Sequence, residues 1–104
     1  MGYTLIMPEI IQSETFRRWL AGLKDRQAVL RIDARIRRLS LGNLGDSKSL
    51  RDGISELRID YGPGYRVYFI RRGTLVVVLL AGGDKSTQDA DIKWAIVIAK
   101  EWRD

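Results

Sequence analysis

Apolar and polar positions repeat with two periods along this chain, and the switches between them outline its elements. Phe16, Trp19, Leu20 and Leu23 recur at i, i+3, i+4 and i+7, one face of a helix, and Ser13 just ahead is a suitable N-cap. Gly22 and Asp25 predict a break and a new cap. Val29, Ile32, Ile36 and Leu39 then recur at helical spacing while Arg31, Arg35 and Arg38 line another face, so the two stretches predict a helical hairpin. Gly42, Asn43, Gly45 and Asp46 mark a loop. Ile54 to Ile59 reads as a strand, and Tyr61-Gly-Pro-Gly-Tyr65 as a type II turn with positive φ at Gly64. From Tyr65 to Arg71 the chain alternates: Tyr65, Val67 and Phe69 face one way, Arg66, Tyr68 and Ile70 the other. Arg72-Gly73 turns it into Thr74 to Leu80, apolar on both faces as a strand covered on both sides would be. Ser86 is suited to cap a last helix, with Asp89 completing a short-armed capping box and Trp94, Ala95, Ile98 and Trp102 as its apolar stripe. A short β-type run, Tyr3 to Met7, ends at Pro8 before all of these. The order β-α-α-β-β-β-α predicts a small α+β fold: a mainly antiparallel sheet, helices segregated to one side, the helical hairpin packed on that face.

Composition narrows the chemistry. The 104 residues form one domain, residues 1–104, and a hydrophobic content of 45% excludes a disordered chain. There is no cysteine, which excludes disulfides, thiolate metal sites and a cysteine nucleophile, and no histidine, which removes the commonest acid–base group and metal ligand. The carboxylates show no metal-ligand spacing, so neither a metal nor a cofactor is expected. The longest apolar run, Leu75 to Ala81, falls far short of the ~20 residues of a membrane-spanning helix. The N-terminal residues lack the basic-then-apolar pattern of a signal peptide, and the expectation is a cytoplasmic protein with no membrane contact. The formal charge of +5 is concentrated: residues 15–41 carry eight basic groups against Asp25 and Asp33. Such a patch attracts nucleic acid or an acidic protein.

Within that frame a few residues stand out. Arg31, Arg35, Arg37 and Arg38 on the second helix can hold phosphates, or form a solvated face. Arg58 and Arg66 sit at the end of one strand and the start of the next; an arginine fork grips a phosphate in two places, although Glu56 or Asp60 can pair with either. Lys85, after Gly82-Gly83-Asp84, stands where a strand ends and a helix begins, a location favourable to anions, or is simply a turn lysine beside a cap. The spacing of a Walker A loop is missing, which argues against a nucleoside triphosphate. Tyr61, Tyr65 and Tyr68 flank these cations; alternation puts Tyr68 on the face of Arg66 and Tyr65 in the core, and a tyrosine there can stack a base or move a proton. The three tryptophans sit on apolar stripes and read as packing.

The segments Glu56-Leu-Arg-Ile-Asp-Tyr-Gly-Pro-Gly-Tyr-Arg-Val-Tyr-Phe69 and Leu80-Ala-Gly-Gly-Asp-Lys-Ser-Thr-Gln88 resemble the signature of the RelE/ParE toxin superfamily, in its HigB-like "addiction module killer" branch. The resemblance runs from about Phe16 to Lys100. It implies a sheet in which the N-terminal strand joins the later three, and the toxin component of a type II toxin–antitoxin module of the kind that stabilises plasmids. It implies cleavage of messenger RNA in the ribosome's decoding site without a metal, translation inhibition, and silencing by a cognate DNA-binding antitoxin encoded alongside. Arg66 matches the arginine after Gly-Tyr in the family's active-site groove, and Lys85 the lysine after its Gly-Gly-Asp. With Arg58 and Tyr68 these form the expected catalytic set, with Arg31, Arg35, Arg37, Arg38 and Tyr61 contacting RNA. The chain departs from the best-known sites in holding Ile54 and Glu56 where those carry lysines, and in lacking a tyrosine between Ser86 and Trp94. Two alternatives follow from the same resemblance: a ParE-like inhibitor of DNA gyrase without nuclease activity, and a catalytically silent member that binds nucleic acid or antitoxin.

Overall fold

The computed structural model describes residues 7–102, and its elements follow the hydrophobic pattern closely. Strand β1 (Glu9–Gln12) leads into helices α1 (Glu14–Gly22) and α2 (Arg26–Ser40). A short strand β2 (Ser47–Ser49) precedes β3 (Ser55–Ile59), β4 (Tyr65–Arg72) and β5 (Val76–Asp84), and α3 (Gln88–Ala99) follows. The protein is a small α+β domain built on one mixed five-stranded sheet in the order β1-β5-β4-β3-β2. β1 runs parallel to β5, and the other three pairings are antiparallel. Among the described residues, no helix is long and apolar enough to cross a membrane.

The strand expected over Tyr3 to Met7 falls almost wholly outside the described residues; among those described, β1 begins at Glu9, whose N–H donates to Leu75 O at 2.7 Å. β2 was not anticipated, because three residues are too few to display a period of two. The helices are not segregated to one side. α1 and α2 cover one face, where Phe16, Ala28, Ile32 and Leu39 pack on Leu57, Ile59, Val67 and Leu79. α3 covers the other, with Ala95, Ile98 and Ala99 on Ile54, Ile70, Val78 and Leu80. This explains why β5 is apolar on both faces.

α3 also turns differently from its predicted stripe. Burying Ala95, Ile98 and Ala99 leaves Trp94 and Val97 on the outer side, and Trp94 is 53% exposed. Its N-terminus is not capped by Ser86. Asp84 instead accepts hydrogen bonds from the Ser86 amide and hydroxyl, which hold its carboxyl below the usual carboxylate range, and Thr87 donates to Asp91.

The expected caps of the hairpin are present. Asp25 accepts from the Gln27 and Ala28 amides at 2.9 and 3.3 Å to start α2. Ser13 accepts from the Phe16 amide at 3.0 Å to start α1, and its hydroxyl donates to Leu80 O at 2.7 Å. That bond falls at a bulge in β5, where Tyr68 faces Ala81 but Phe69 faces Leu79, leaving Leu80 unopposed. Gly82 and Gly83 are part of β5 rather than a turn. A Cβ on Gly82 would lie inside the Trp19 indole, and one on Gly83 inside the Asp91 carboxylate. Both glycines are therefore required by close approach, one from each layer.

Replacing Ser13 with alanine removes the cap of α1 and strands a buried carbonyl at the bulge. Ser13→Ala should cost about 2–3 kcal/mol of stability, read as a lower urea midpoint with unchanged slope.

Candidate functional site

The residues that carry chemistry are set by strand register. Arg58 of β3 stands directly opposite Arg66 of β4, and Glu56 opposite Tyr68. Opposed residues share a face of the sheet about 5 Å apart at Cβ. All four project toward the α3 side, since Leu57, Ile59, Tyr65 and Val67 belong to the core under α1 and α2. The result is a polar cluster in a mostly apolar layer.

This cluster is incompletely satisfied. Arg66 is 8% exposed and donates from Nη1 to Tyr65 O at 3.1 Å, while its Nε has no hydrogen-bond partner. Glu56 is 4% exposed, and its Oε2 is unpartnered. Arg58 pairs through Nη2 with Asp46 Oδ1 at 3.0 Å, but its Nε is buried without a partner. The Tyr68 hydroxyl is likewise buried and unpartnered. Burial first, then the negative charges of Glu56 and Asp91, push the Tyr68 phenol well above its ordinary pKa. It is held neutral at physiological pH and is unsuited to act as a base. Buried polar groups are nearly always paired, and four exceptions gathered on one face mark a place where function competes with stability.

Lys85 lies at the same end of the sheet, because Tyr65 and Arg66 are opposite Asp84 and Gly83. Its amide donates to Gly64 O at 3.0 Å, and its aliphatic stem lies so close to Gly64 that an added Cβ would come within 2.8 Å of Lys85 Cε. Gly64 has the expected positive φ, +82°, but Gly62 is positive as well, and the closing bond runs from Gly64 N to Tyr61 O, one residue earlier than a type II turn centred on Pro63 and Gly64.

The basic helix is elsewhere. α2 covers the opposite face from Arg66, and its arginines have separate uses. Arg35 is a clamp: Nη1 donates to Arg58 O at 2.6 Å and Nη2 to Asp46 O at 3.0 Å, and burial lowers its pKa. Arg31 lies over the Tyr61 ring at 4.7 Å, and the Tyr61 hydroxyl donates to Asp25 Oδ2 at 2.9 Å. Arg35 and Tyr61 thus each tie distant segments of the fold together. Arg37 and Arg38 are exposed in the last turn of α2.

No family model matches the chain. An uncharacterized protein of Haemophilus influenzae is 58% identical to it over 87 residues, which span 84% of this chain and 88% of that protein. The chain belongs to that protein's family. The two proteins share sequence over most of the length of each.

Two features escaped sequence reasoning. Glu56 read as an ion-pair partner for Arg58, but Arg58 takes Asp46 instead, leaving a buried carboxylate beside two arginines. Its position two residues before Arg58 in an alternating strand was the available signal. The other is Lys48, which β2 places directly opposite Glu56; without that strand the lysine has no location.

Two measurements test this arrangement. Tyr68→Phe deletes a buried, unpartnered hydroxyl and should raise stability by about 1 kcal/mol; a loss of that size would mean that the hydroxyl is engaged. The Tyr61 hydrogen bond, ahead of the two amides, holds the Asp25 carboxyl below its usual range. Its contribution is present above the unfolded carboxylate pKa of about 3.9 and is lost as pH falls through the lower folded value. Asp25→Ala should therefore be less stable than the wild type at neutral pH, and the gap should narrow on acidification, followed by urea denaturation at each pH.

Proposed function

We propose that the chain is the toxin component of a type II toxin–antitoxin module of the RelE/ParE superfamily, acting as a metal-independent, ribosome-dependent messenger RNA endoribonuclease. The observation that carries this reading is the cross-strand pair Arg58–Arg66 with Glu56 beside it, in which Arg66 and Glu56 both keep unpartnered polar atoms. Cations alone would suit a passive anion site. Cations with a free carboxylate suit acid–base work on a phosphate.

The reaction needs no group from outside the RNA and the protein. The 2′-hydroxyl attacks the adjacent phosphorus, its proton passing to Glu56, and the O5′–P bond breaks. The leaving 5′-oxygen takes up the proton that Glu56 accepted, relayed through solvent, which restores the carboxylate and gives a 2′,3′-cyclic phosphate and a 5′-hydroxyl. Arg66 supports the charge that grows on the non-bridging oxygens, with Arg58 opposite it and Lys85 at the same end of the sheet. Tyr68, held protonated, can donate a hydrogen bond but not accept the proton. The exposed Arg37 and Arg38, on the far side of the sheet, meet a polyanion: ribosomal RNA while the toxin is free, an acidic antitoxin segment when it is silenced.

Induced expression in a bacterial host, with message 5′ ends mapped minutes later, tests the reading. Wild type should stop growth and produce new 5′-hydroxyl ends at in-frame codon positions. Arg66→Lys keeps the charge but loses the fork, and with Lys85→Ala it should abolish those ends by about two orders of magnitude or more. Circular dichroism of the double variant checks that the fold persists. Growth arrest with intact messages would overturn the nuclease in favour of a gyrase-directed toxin, and no arrest would leave a binder without toxicity.

A further inference from the structure

The α3 side of the sheet carries a second feature that the chemistry above does not use. An open groove of about 660 Å³ runs between the outer edge of the sheet and the N-terminal half of α3. Lys48, Arg51 and Lys93 supply its cations, Asp89 its one carboxylate, and Leu50 and Ile92 an apolar floor. Register ties it to the polar cluster: Lys48 is opposite Glu56, Glu56 is opposite Tyr68, and Arg58 and Arg66 are the next pair along the same strands. Moving outward from Arg66 on this face, one therefore meets Arg58 and Glu56, then Lys48, then the groove.

The three cations are exposed, and among the described residues none of them takes part in an ion pair. A concave surface with three cations and one acid carries net positive charge and attracts a polyanion. Its apolar floor distinguishes it from a plain phosphate patch, because a base laid on Leu50 and Ile92 is desolvated while its phosphates reach the rim. Leu50 and Ile92 are only partly buried against the core below, so their outer surfaces are available to a ligand. The hairpin arginines cannot do this work for the same strand, since α2 lies across the sheet.

We infer that the groove of Lys48, Arg51 and Lys93 is the track along which single-stranded RNA enters the Arg58–Arg66 site, its phosphates on the three cations and a base on Leu50 and Ile92. This rests on the nuclease reading for its substrate, but makes a separate claim about where the strand lies.

Fluorescence anisotropy with a short labelled 2′-O-methyl oligoribonucleotide, which cannot be cleaved, tests it directly. The variant Lys48→Ala/Arg51→Ala/Lys93→Ala should bind about tenfold or more weakly than wild type. Its log–log salt slope should be shallower by about 2, from about 0.7 per lost phosphate contact. A control, Arg17→Ala/Lys24→Ala/Arg26→Ala, removes the same charge from the helical hairpin and should keep both affinity and slope near wild type. Equal binding by the groove variant overturns the inference, as does equal loss in the control, which would reduce the effect to bulk charge. Absence of any binding by wild type overturns it too. If binding depends on the groove while expression leaves messages whole, the track stands and the nuclease fails; if messages are cut identically by the groove variant, the nuclease stands and the track fails.

Discussion

The structure depends on two helical layers pressing on the same two residues of one strand. Trp19 lies on Gly82 from one side and Asp91 lies against Gly83 from the other. Among the described residues, β5 alone pairs both in parallel, with β1, and antiparallel, with β4. Its backbone is thus fixed in the plane by two ladders and perpendicular to it by two side chains. Interiors at this density do not yield to an added methyl group without displacing a neighbour. The Ser13 bond at the neighbouring bulge belongs to the same device, since it ties the start of α1 to the point where β5 changes register.

The polar cluster is placed by this central pair. Arg66 sits opposite Gly83 on one side and Arg58 on the other. Like charges directly opposed on a sheet are unfavourable. Asp46 offsets the charge of Arg58, and Arg35, by holding the backbone carbonyls of Asp46 and Arg58, keeps that loop in reach. The basic helix thus supports the arginine pair from across the sheet. Stability is given up for the arrangement, and such local conflicts concentrate where a protein acts.

Much of this was legible in the sequence. The period of two from Tyr65 to Arg71 assigns each side chain of β4 to its face, and Ser13 and Asp25 are recognisable as caps from their place ahead of the apolar stripes. What was not legible depends on distant partners. β2 exists only because β3 pairs with it, and its three residues carry no period. The second half of α3, Trp94 to Ala99, is apolar all round, so its stripe could not be told from its exposed side until the sheet chose one, and Trp94 fell outside. Arg35 and Tyr61 looked like ligand-binding groups because charge and aromatic character are visible in a sequence, whereas a carbonyl waiting across the fold is not. Glu56 was hidden for the converse reason: its nearest cation in sequence is occupied by Asp46.

The parallel edge pairing has a consequence for how the chain comes into being. β1 and α1 are made first, yet their sheet partner is β5, and the Ser13–Leu80 bond spans 67 positions. Pairings this distant are slow, because the intervening chain must be ordered before they repay its entropy. During synthesis the first two elements wait exposed until β5 has emerged, while β3 and β4 can form their hairpin alone. Arg58 and Arg66 therefore face one another early, before α3 has closed over that face of the sheet. The site is the last part of the protein to become itself, and a nascent chain carries its charges long before it carries their environment.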